Sequence, residues 1–268
     1  MTIAYDELRD QVVVVTGASR GIGRAIALAF GDQGAIVIVN SRTAHGAEST
    51  VSEIANRGGR AEAAVADVGD PAEAKLIVEQ AVTRHGRIDV LVNNAALNPV
   101  APLLETTWEA WNDVQRVNVG GLFSCGSAAA RHMVVQGGGC IIVIGSPAAS
   151  DAHANQIPYC SSKAALHMLA KGMAWEWGPQ GVRTNVVQPG WIETSLNESY
   201  LADPDVRLRV TKQIPSRRIG RAEEVASVAV WLSTRDASYV NGATVEVDGG
   251  FTAGRTAVVP RRFENLQQ

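Results

Sequence analysis

Short runs of apolar, β-branched residues, each followed by a stretch of helical periodicity, recur along most of this 268-residue chain, and that alternation narrows its possible folds more than any other feature. Residues 12–16, VVVVT, stop at Gly17, and from about Gly21 the residues Ile22, Ala25, Ile26 and Ala29 fall on one helical face. The cycle repeats with AIVIVN at 35–40 before a helix near 45–57, and with AEAAVAD at 61–67 before a helix from Pro71 to about Arg84. IDVLVNN at 88–94 precedes a loop and a single long helix from about Thr107 to Val135. CIIVIGS at 140–146 precedes a helix that opens on Tyr159, TNVVQ at 184–188 leads through a long loop to a helix at 222–233, and ATVEVD at 243–248 is the last strand. Strands apolar on both faces and separated by helices predict an α/β fold: a doubly wound, seven-stranded parallel sheet with helices on both faces and right-handed crossovers. No internal repeat or low-complexity linker divides the chain, so residues 1–253 read as one domain and 254–268 as a C-terminal tail.

Such sheets bind ligands at the carboxyl ends of their strands. Gly17, Ser41, Asp67, Asn94, Ser146 and Pro189 each stand just after a predicted strand, which makes that edge the place to look for chemistry. Around Gly17, the segment Thr16-Gly17-Ala18-Ser19-Arg20-Gly21-Ile22-Gly23 sets three glycines between strand and helix, where backbone amides can approach a phosphate at the positive end of a helix. The spacing is Gly-x-x-x-Gly-x-Gly rather than the general dinucleotide fingerprint. An NAD site wants an acid at the end of the second strand for the ribose 2′-hydroxyl, whereas the 2′-phosphate of NADP wants positive charge. Here that strand ends Asn40-Ser41-Arg42, and Arg20 lies within reach in the glycine loop, so NADP(H) is the expected cofactor.

Tyr159 and Lys163 stand four residues apart, on one face of their helix, so a phenol and an ammonium can approach the same small molecule. A free tyrosine titrates near pH 10, and a cation held close to it favours the phenolate and lowers that value. The spacing is informative because the chain has four tyrosines and only four lysines, which gives about 0.06 chance matches.

Composition excludes other classes. With a net charge of −3 and a pI of about 6.0, nothing marks a polyanion as partner, so no nucleic acid is expected. Cys125, Cys140 and Cys160 lack the close spacing of a metal site and are an odd number for a disulfide framework; no metal is expected, and the thiols read as reduced. The first ten residues lack an apolar signal core and no apolar run approaches a membrane span, so a cytoplasmic protein with no membrane partner is expected.

TGASRGIG at 16–23, NNA at 93–95, Asn118, Ser146, Tyr159 and Lys163, in this order, resemble the short-chain dehydrogenase/reductase family over about residues 10–252. PGWIET at 189–194 and VNGATVEVDGG at 240–250 agree. The resemblance implies a Rossmann-type fold and a catalytic set of Asn118, Ser146, Tyr159 and Lys163, in an enzyme that interconverts an alcohol with its ketone or aldehyde by hydride transfer. Tyr159 would be the acid/base, Ser146 would stabilise the oxyanion, Lys163 would tune the tyrosine and hold the nicotinamide ribose, and Asn118 would anchor a water path to Lys163. It also implies that Asp67 and Val68 flank the adenine, Asn94 the adenosine ribose, and Ile192 and Thr194 the carboxamide, beside Pro189 and the glycine loop. One departure is Ala96, where the family usually has glycine; its methyl should slightly narrow the backbone approach there.

Specificity is expected in residues 147–157, 191–215 and the tail. The first segment carries His153, a candidate substrate contact that could equally be an exposed loop histidine, and its polar residues suit a hydroxylated or small polar carbonyl substrate. The chain is similar to the sugar dehydrogenases and carbonyl reductases of the family. Two alternatives stay open: a 3-oxoacyl-thioester reductase acting on an acyl carrier protein, for which Gly137 and Gln180 stand where that branch has basic residues, and a non-catalytic dinucleotide-sensing protein. Family likeness of the helices at 107–135 and 159–178 implies a homotetramer, with Trp175 and Trp177 suited to a subunit contact.

Overall fold

The structure, a computed structural model, describes residues 4–195 and 197–254. The tail assigned to 254–268 therefore lies, Gly254 apart, outside the described residues. Val12–Val15 forms β1, Gly21–Asp32 α1, Ile36–Ser41 β2, Ala44–Asn56 α2, Arg60–Val65 β3 and Pro71–His85 α3. The chain continues through β4 (Val90–Asn93), α4 (Trp108–Gln115), α5 (Gly121–Val135), β5 (Gly139–Ile144), α6 (Ile157–Trp177) and β6 (Val182–Pro189). It then forms β7 (Ile192–Glu193), α7 (Glu198–Leu201), α8 (Pro204–Gln213), β8 (Gly220–Arg221), α9 (Ala222–Leu232) and β9 (Thr244–Val247).

Local chemistry sets these boundaries. In α3, the Asp70 carboxylate accepts from the backbone N–H of Ala72 and Glu73, Pro71 begins the helix, and Gly86 ends it in the left-handed conformation at φ 75°. Every residue of β1 and β4 is buried, as strands covered on both faces require.

Seven strands form one parallel sheet in the order β3-β2-β1-β4-β5-β6-β9. The chain winds outward from β1 to β3 and then crosses to the other side of β1. That reversal opens a crevice above the carboxyl ends of β1 and β4. On one face Ile26 and Phe30 of α1 pack with Val225 and Leu232 of α9; on the other, Ile77 of α3 packs with Leu122 of α5 and Leu166 of α6. Each such fully buried side chain stabilises the fold by about 1.5–3 kcal/mol.

The structure differs from the sequence reading in two places. The helix expected over 107–135 is continuous from Trp108 to Val135, but a π-helical turn at Arg116–Gly120 divides it into α4 and α5. Apolar periodicity on either side conceals the widened turn, and its cause is tertiary, because Asn118 turns inward to bond the backbone of Leu97. The long loop expected after Pro189 contains β7, α7 and α8. β7 pairs with β8, and Leu201, Val210, Ile214 and Ile219 form a small core of their own. Asp203 caps α8 through the N–H groups of Asp205 and Val206, with Pro204 as its first residue.

Candidate active site

Three positions where β1 passes into α1 call for glycine. Gly17 and Gly21 adopt φ of 61° and 56°, and a methyl on Gly23 would lie 2.3 Å from Asn94 Nδ2 and 2.5 Å from the Gly17 carbonyl oxygen. Asn94 Nδ2 donates to the carbonyls of Thr16 and Gly17, each at 3.0 Å, while Thr16 Oγ1 accepts from the backbone N–H of Asn94 and Ala95. Asn40 completes the clamp. Its Oδ1 accepts from Gly17 N–H at 3.2 Å, and its Nδ2 donates to the carbonyls of Ala64 and Ala66. Thr16 and Asn40 had no functional assignment from the sequence, because a polar residue at a strand end reads equally well as a turn residue.

These contacts shape a cavity of about 540 Å³ above the carboxyl ends of β1, β2, β4 and β5. Every residue expected to touch the cofactor borders it. The glycine loop (Gly17, Ser19, Arg20, Gly21, Ile22 and Gly23) forms one wall, Ser41, Arg42, Asp67 and Val68 one end, and Pro189, Ile192 and Thr194 the opposite side beside Asn94, Tyr159 and Lys163. The first turn of α1 has no side-chain cap, so its N–H groups are unclaimed by any side chain, the arrangement that receives a phosphate. At the β2 end, Asp67 pairs with Arg116 at 2.9 Å. Burial alone would raise its pKa, but Arg116 and the Gly69 N–H bring the carboxyl below its usual value. Arg20 and Arg42 are exposed, and neither closes an ion pair among the described residues. Residues of this kind fit a dinucleotide carrying an extra phosphate. Ala96 also borders the cavity and does not adopt positive φ, which the non-glycine residues Asp10, Asn155 and Arg217 do, so the backbone there does not require glycine.

At the β5 end, Ser146, Tyr159 and Lys163 share the cavity wall. Ser146 Oγ accepts from Ala148 N–H at 3.2 Å, starting a short 3-10 turn that holds the residue at the strand's end. Tyr159 is half-buried, and its Ser146 hydrogen bond lowers the phenol pKa less than burial raises it, so the net shift is upward. Lys163, 3% exposed, donates from Nζ to the Ile144 carbonyl at 2.7 Å and lies 5.5 Å from the Tyr159 ring centroid. Burial lowers its pKa to about 8. The expected lowering of the phenol is therefore not present in the protein's own groups: the ammonium faces the ring and a carbonyl, and desolvation of the phenol prevails.

Asn118 is fully buried and does not border the cavity. Its Oδ1 accepts from Leu97 N–H at 2.8 Å, and its Nδ2 donates to the Leu97 carbonyl at 3.0 Å and to Ser162 Oγ at 2.9 Å; Ser162 Oγ in turn donates to the Tyr159 carbonyl at 2.7 Å. Asn118 thus ties the loop after β4 to the first turn of α6. His153 stands apart from the cavity lining, half-buried on the loop before α6, with its backbone N–H on Cys160 Sγ. Asn197, which carried no expectation, pins the 192–194 segment by accepting from Thr194 N–H at 3.1 Å and donating to the Ile192 carbonyl at 2.8 Å.

A family model described as Enoyl-(Acyl carrier protein) reductase matches residues 17–252. Gluconate 5-dehydrogenase of Gluconobacter oxydans is 40% identical over 240 residues, 89% of this chain and 93% of that protein. L-rhamnose 1-dehydrogenase (NAD(P)(+)) of Azotobacter vinelandii is 40% identical over 248 residues, 91% of this chain and 97% of that protein. A crystal structure of gluconate 5-dehydrogenase from Burkholderia cenocepacia, in complex with NADP and tartrate, matches with a TM-score of 0.88 at 35% identity, covering 93% of this chain and 98% of that one.

Proposed function

Because the chain belongs to the short-chain dehydrogenase/reductase family, we propose that it is an NADP(H)-dependent oxidoreductase interconverting an alcohol, most plainly of a sugar or polyol, with its carbonyl. The observation that carries this reading is the meeting of a serine, a tyrosine and a buried lysine in the same cavity as a helix terminus without a side-chain cap and two exposed arginines that close no ion pair among the described residues.

When bound, the cofactor supplies or accepts hydride at the reacting carbon. Tyr159 gives its proton to the carbonyl oxygen during reduction and takes the hydroxyl proton during oxidation. The raised phenol pKa keeps that proton in place for reduction, and in the oxidative direction the phenolate forms against the same desolvation, eased by the Ser146 hydrogen bond. Ser146, hydrogen-bonded to the phenol, presents its hydroxyl to the developing negative charge. Lys163, oriented by the Ile144 carbonyl, holds the ribose hydroxyls. Asn118 acts as a positioning residue. Its amide is spent on Leu97 and Ser162, so a water path toward Lys163 would have to start from its backbone. Arg20 and Arg42 hold the 2′-phosphate, since the end of β2 offers no acid for a ribose hydroxyl.

The same reading makes the protein a cytoplasmic carbonyl reductase. Its three free, buried cysteines suit a reducing compartment. It also makes the protein a homotetramer paired through α5 and α6, where Phe123, Met168 and Trp175 are 61%, 68% and 86% exposed; Trp177 instead packs against the core. The carrier-protein alternative is weaker, because Gly137 and Gln180 offer no charge to an acidic partner. Nicotinamide absorbance, followed against ketones, sugar-derived carbonyls, 3-oxoacyl thioesters and, with NADP⁺, polyols, tests the proposal. Turnover on a carbonyl or polyol is expected; tight NADPH binding with no turnover across the panel would sink it.

A further inference from the structure

We propose that His167 relays protons between the buried Lys163 and the outside of the protein, along α6 rather than through the mouth of the cavity. The proposal deepens the dehydrogenase reading above and rests on it; His167 acts through Lys163 and touches no reacting atom. Tyr159, Lys163, His167 and Lys171 recur at every fourth residue of α6. On a helix of 3.6 residues per turn such a row climbs about 6 Å and drifts about 40° per step, so Lys171 stands about 120° around the helix from Tyr159. Burial follows the drift. Tyr159 and Lys163 border the cavity, with Lys163 covered; His167 is half-buried, and Lys171 is exposed. Titratable side chains thus lead step by step from the reacting groups to solvent.

His167 stands where that row crosses from interior to surface. Its Nε2 is fully covered although the residue is only half-buried, so one ring nitrogen faces inward. That nitrogen packs on Gly145: a methyl there would lie 2.6 Å from Nε2 and 2.6 Å from Val186 Cγ1, so the glycine makes room for the imidazole. Gly145 borders the cavity, and the carbonyl of the preceding residue, Ile144, is the one that receives Lys163 Nζ at 2.7 Å. Ammonium and imidazole therefore meet the same stretch of β5, from positions on α6 whose Cβ atoms lie about 5–6 Å apart. Direct contact or one bridging water closes that gap. Desolvation first, and then the charges of Lys163 and Lys171, bring the His167 pKa below the ordinary histidine value, which keeps the ring a free base near neutral pH. Those lysines are the charged groups that reach it among the described residues; β5 and β6 meet the ring with Gly145 and Val186. A neutral imidazole takes a proton on one nitrogen while giving one from the other. In the oxidative direction the Lys163 ammonium gives a proton to Nε2 and Nδ1 gives its own to water. The amine left on Lys163 takes up the proton that the alcohol delivers to the phenol, and rotation of the ring restores the starting tautomer. In reduction each transfer runs backward, and no electrons move along the row.

The probe is the alcohol that the wild type oxidises fastest with NADP⁺ among glucitol, xylitol, cyclohexanol and the alcohols of the carbonyls in the panel above. Full-length wild type, His167→Gln and His167→Ala are compared near neutral pH at low and high buffer concentration, in H₂O and D₂O. At low buffer, kcat of both variants is expected to fall by about tenfold and its solvent deuterium isotope effect to rise, with NADP⁺ affinity within about twofold of the wild type. Added imidazole should restore His167→Ala; if that variant does not fold, the isotope effect of His167→Gln decides. Wild-type kcat in the variants at low buffer would overturn the proposal. A lowered kcat with an unchanged isotope effect, restored by neither imidazole nor buffer, would leave His167 a packing role only and overturn it as well. Absence of nicotinamide turnover by the wild type across the panel would remove the dehydrogenase reading and this proposal with it.

Discussion

Gly23 is the third residue of α1, and replacing it with alanine sets two effects against each other. Helix propensity favours Gly23→Ala by about 1 kcal/mol. Against this, the new methyl lands 2.3 Å from Asn94 Nδ2 and 2.5 Å from the Gly17 carbonyl oxygen. Neither neighbour can yield cheaply, because the carbonyl is backbone and the amide is held by two 3.0 Å hydrogen bonds. Overpacking of this kind costs about 1–3 kcal/mol, and each loosened hydrogen bond about 1 kcal/mol more. Net destabilisation of about 1–3 kcal/mol is expected, seen as a lower urea midpoint at unchanged m-value. NADPH titration should show at least about tenfold weaker binding, since the displaced atoms are the floor of the phosphate loop. A variant with a raised urea midpoint and unchanged NADPH affinity would show that helix propensity prevails, and would refute the claim that this loop is too tight for a methyl.

Arg42→Ala should weaken NADPH binding by about 5- to 30-fold, the loss of one charge-assisted contact, and leave NADH binding nearly unchanged; an equal loss for both would show that Arg42 does not face a 2′-phosphate. Burial lowers the Lys163 pKa from 10.5 to about 8, so between those values the unfolded chain binds more protons than the folded one and stability rises with pH. Below about 8 the burial cost is present in full. Across the window the wild type should therefore gain up to about 3 kcal/mol relative to Lys163→Met in urea unfolding, and parallel curves for the two proteins would contradict the burial argument.

Much of the architecture was legible because each strand is a contiguous apolar run and each helix carries its own periodicity, so β1 through β6 and the flanking helices follow from local pattern. The cavity was legible for a related reason: in a parallel sheet, residues just after strands share one edge, so Gly17, Ser41, Asp67, Asn94 and Ser146 could be grouped without coordinates. What escaped depends on contacts distant in sequence. The π turn at Arg116–Gly120 exists because Asn118 reaches Leu97, 21 residues away, and nothing in the periodicity of 107–135 marks it. Asn40 and Thr16 hold the glycine loop across neighbouring strands, a role visible only once β2 and β4 flank β1. The Asp-Pro at 203–204 was a readable helix start, but it lay in a segment whose apolar residues are too sparse to announce α8. The direction of the Tyr159 pKa shift was missed because spacing along α6 brings the lysine near the ring without fixing where its ammonium points.

The central claim is that Tyr159 transfers the proton, and Tyr159→Phe tests it most directly by removing one oxygen from a half-buried ring that otherwise keeps its packing. On the best substrate found, kcat should fall by about 10²–10⁴-fold while NADPH affinity stays within about twofold of the wild type. A variant that keeps more than about a tenth of wild-type turnover, with the cofactor bound as before, would contradict the account.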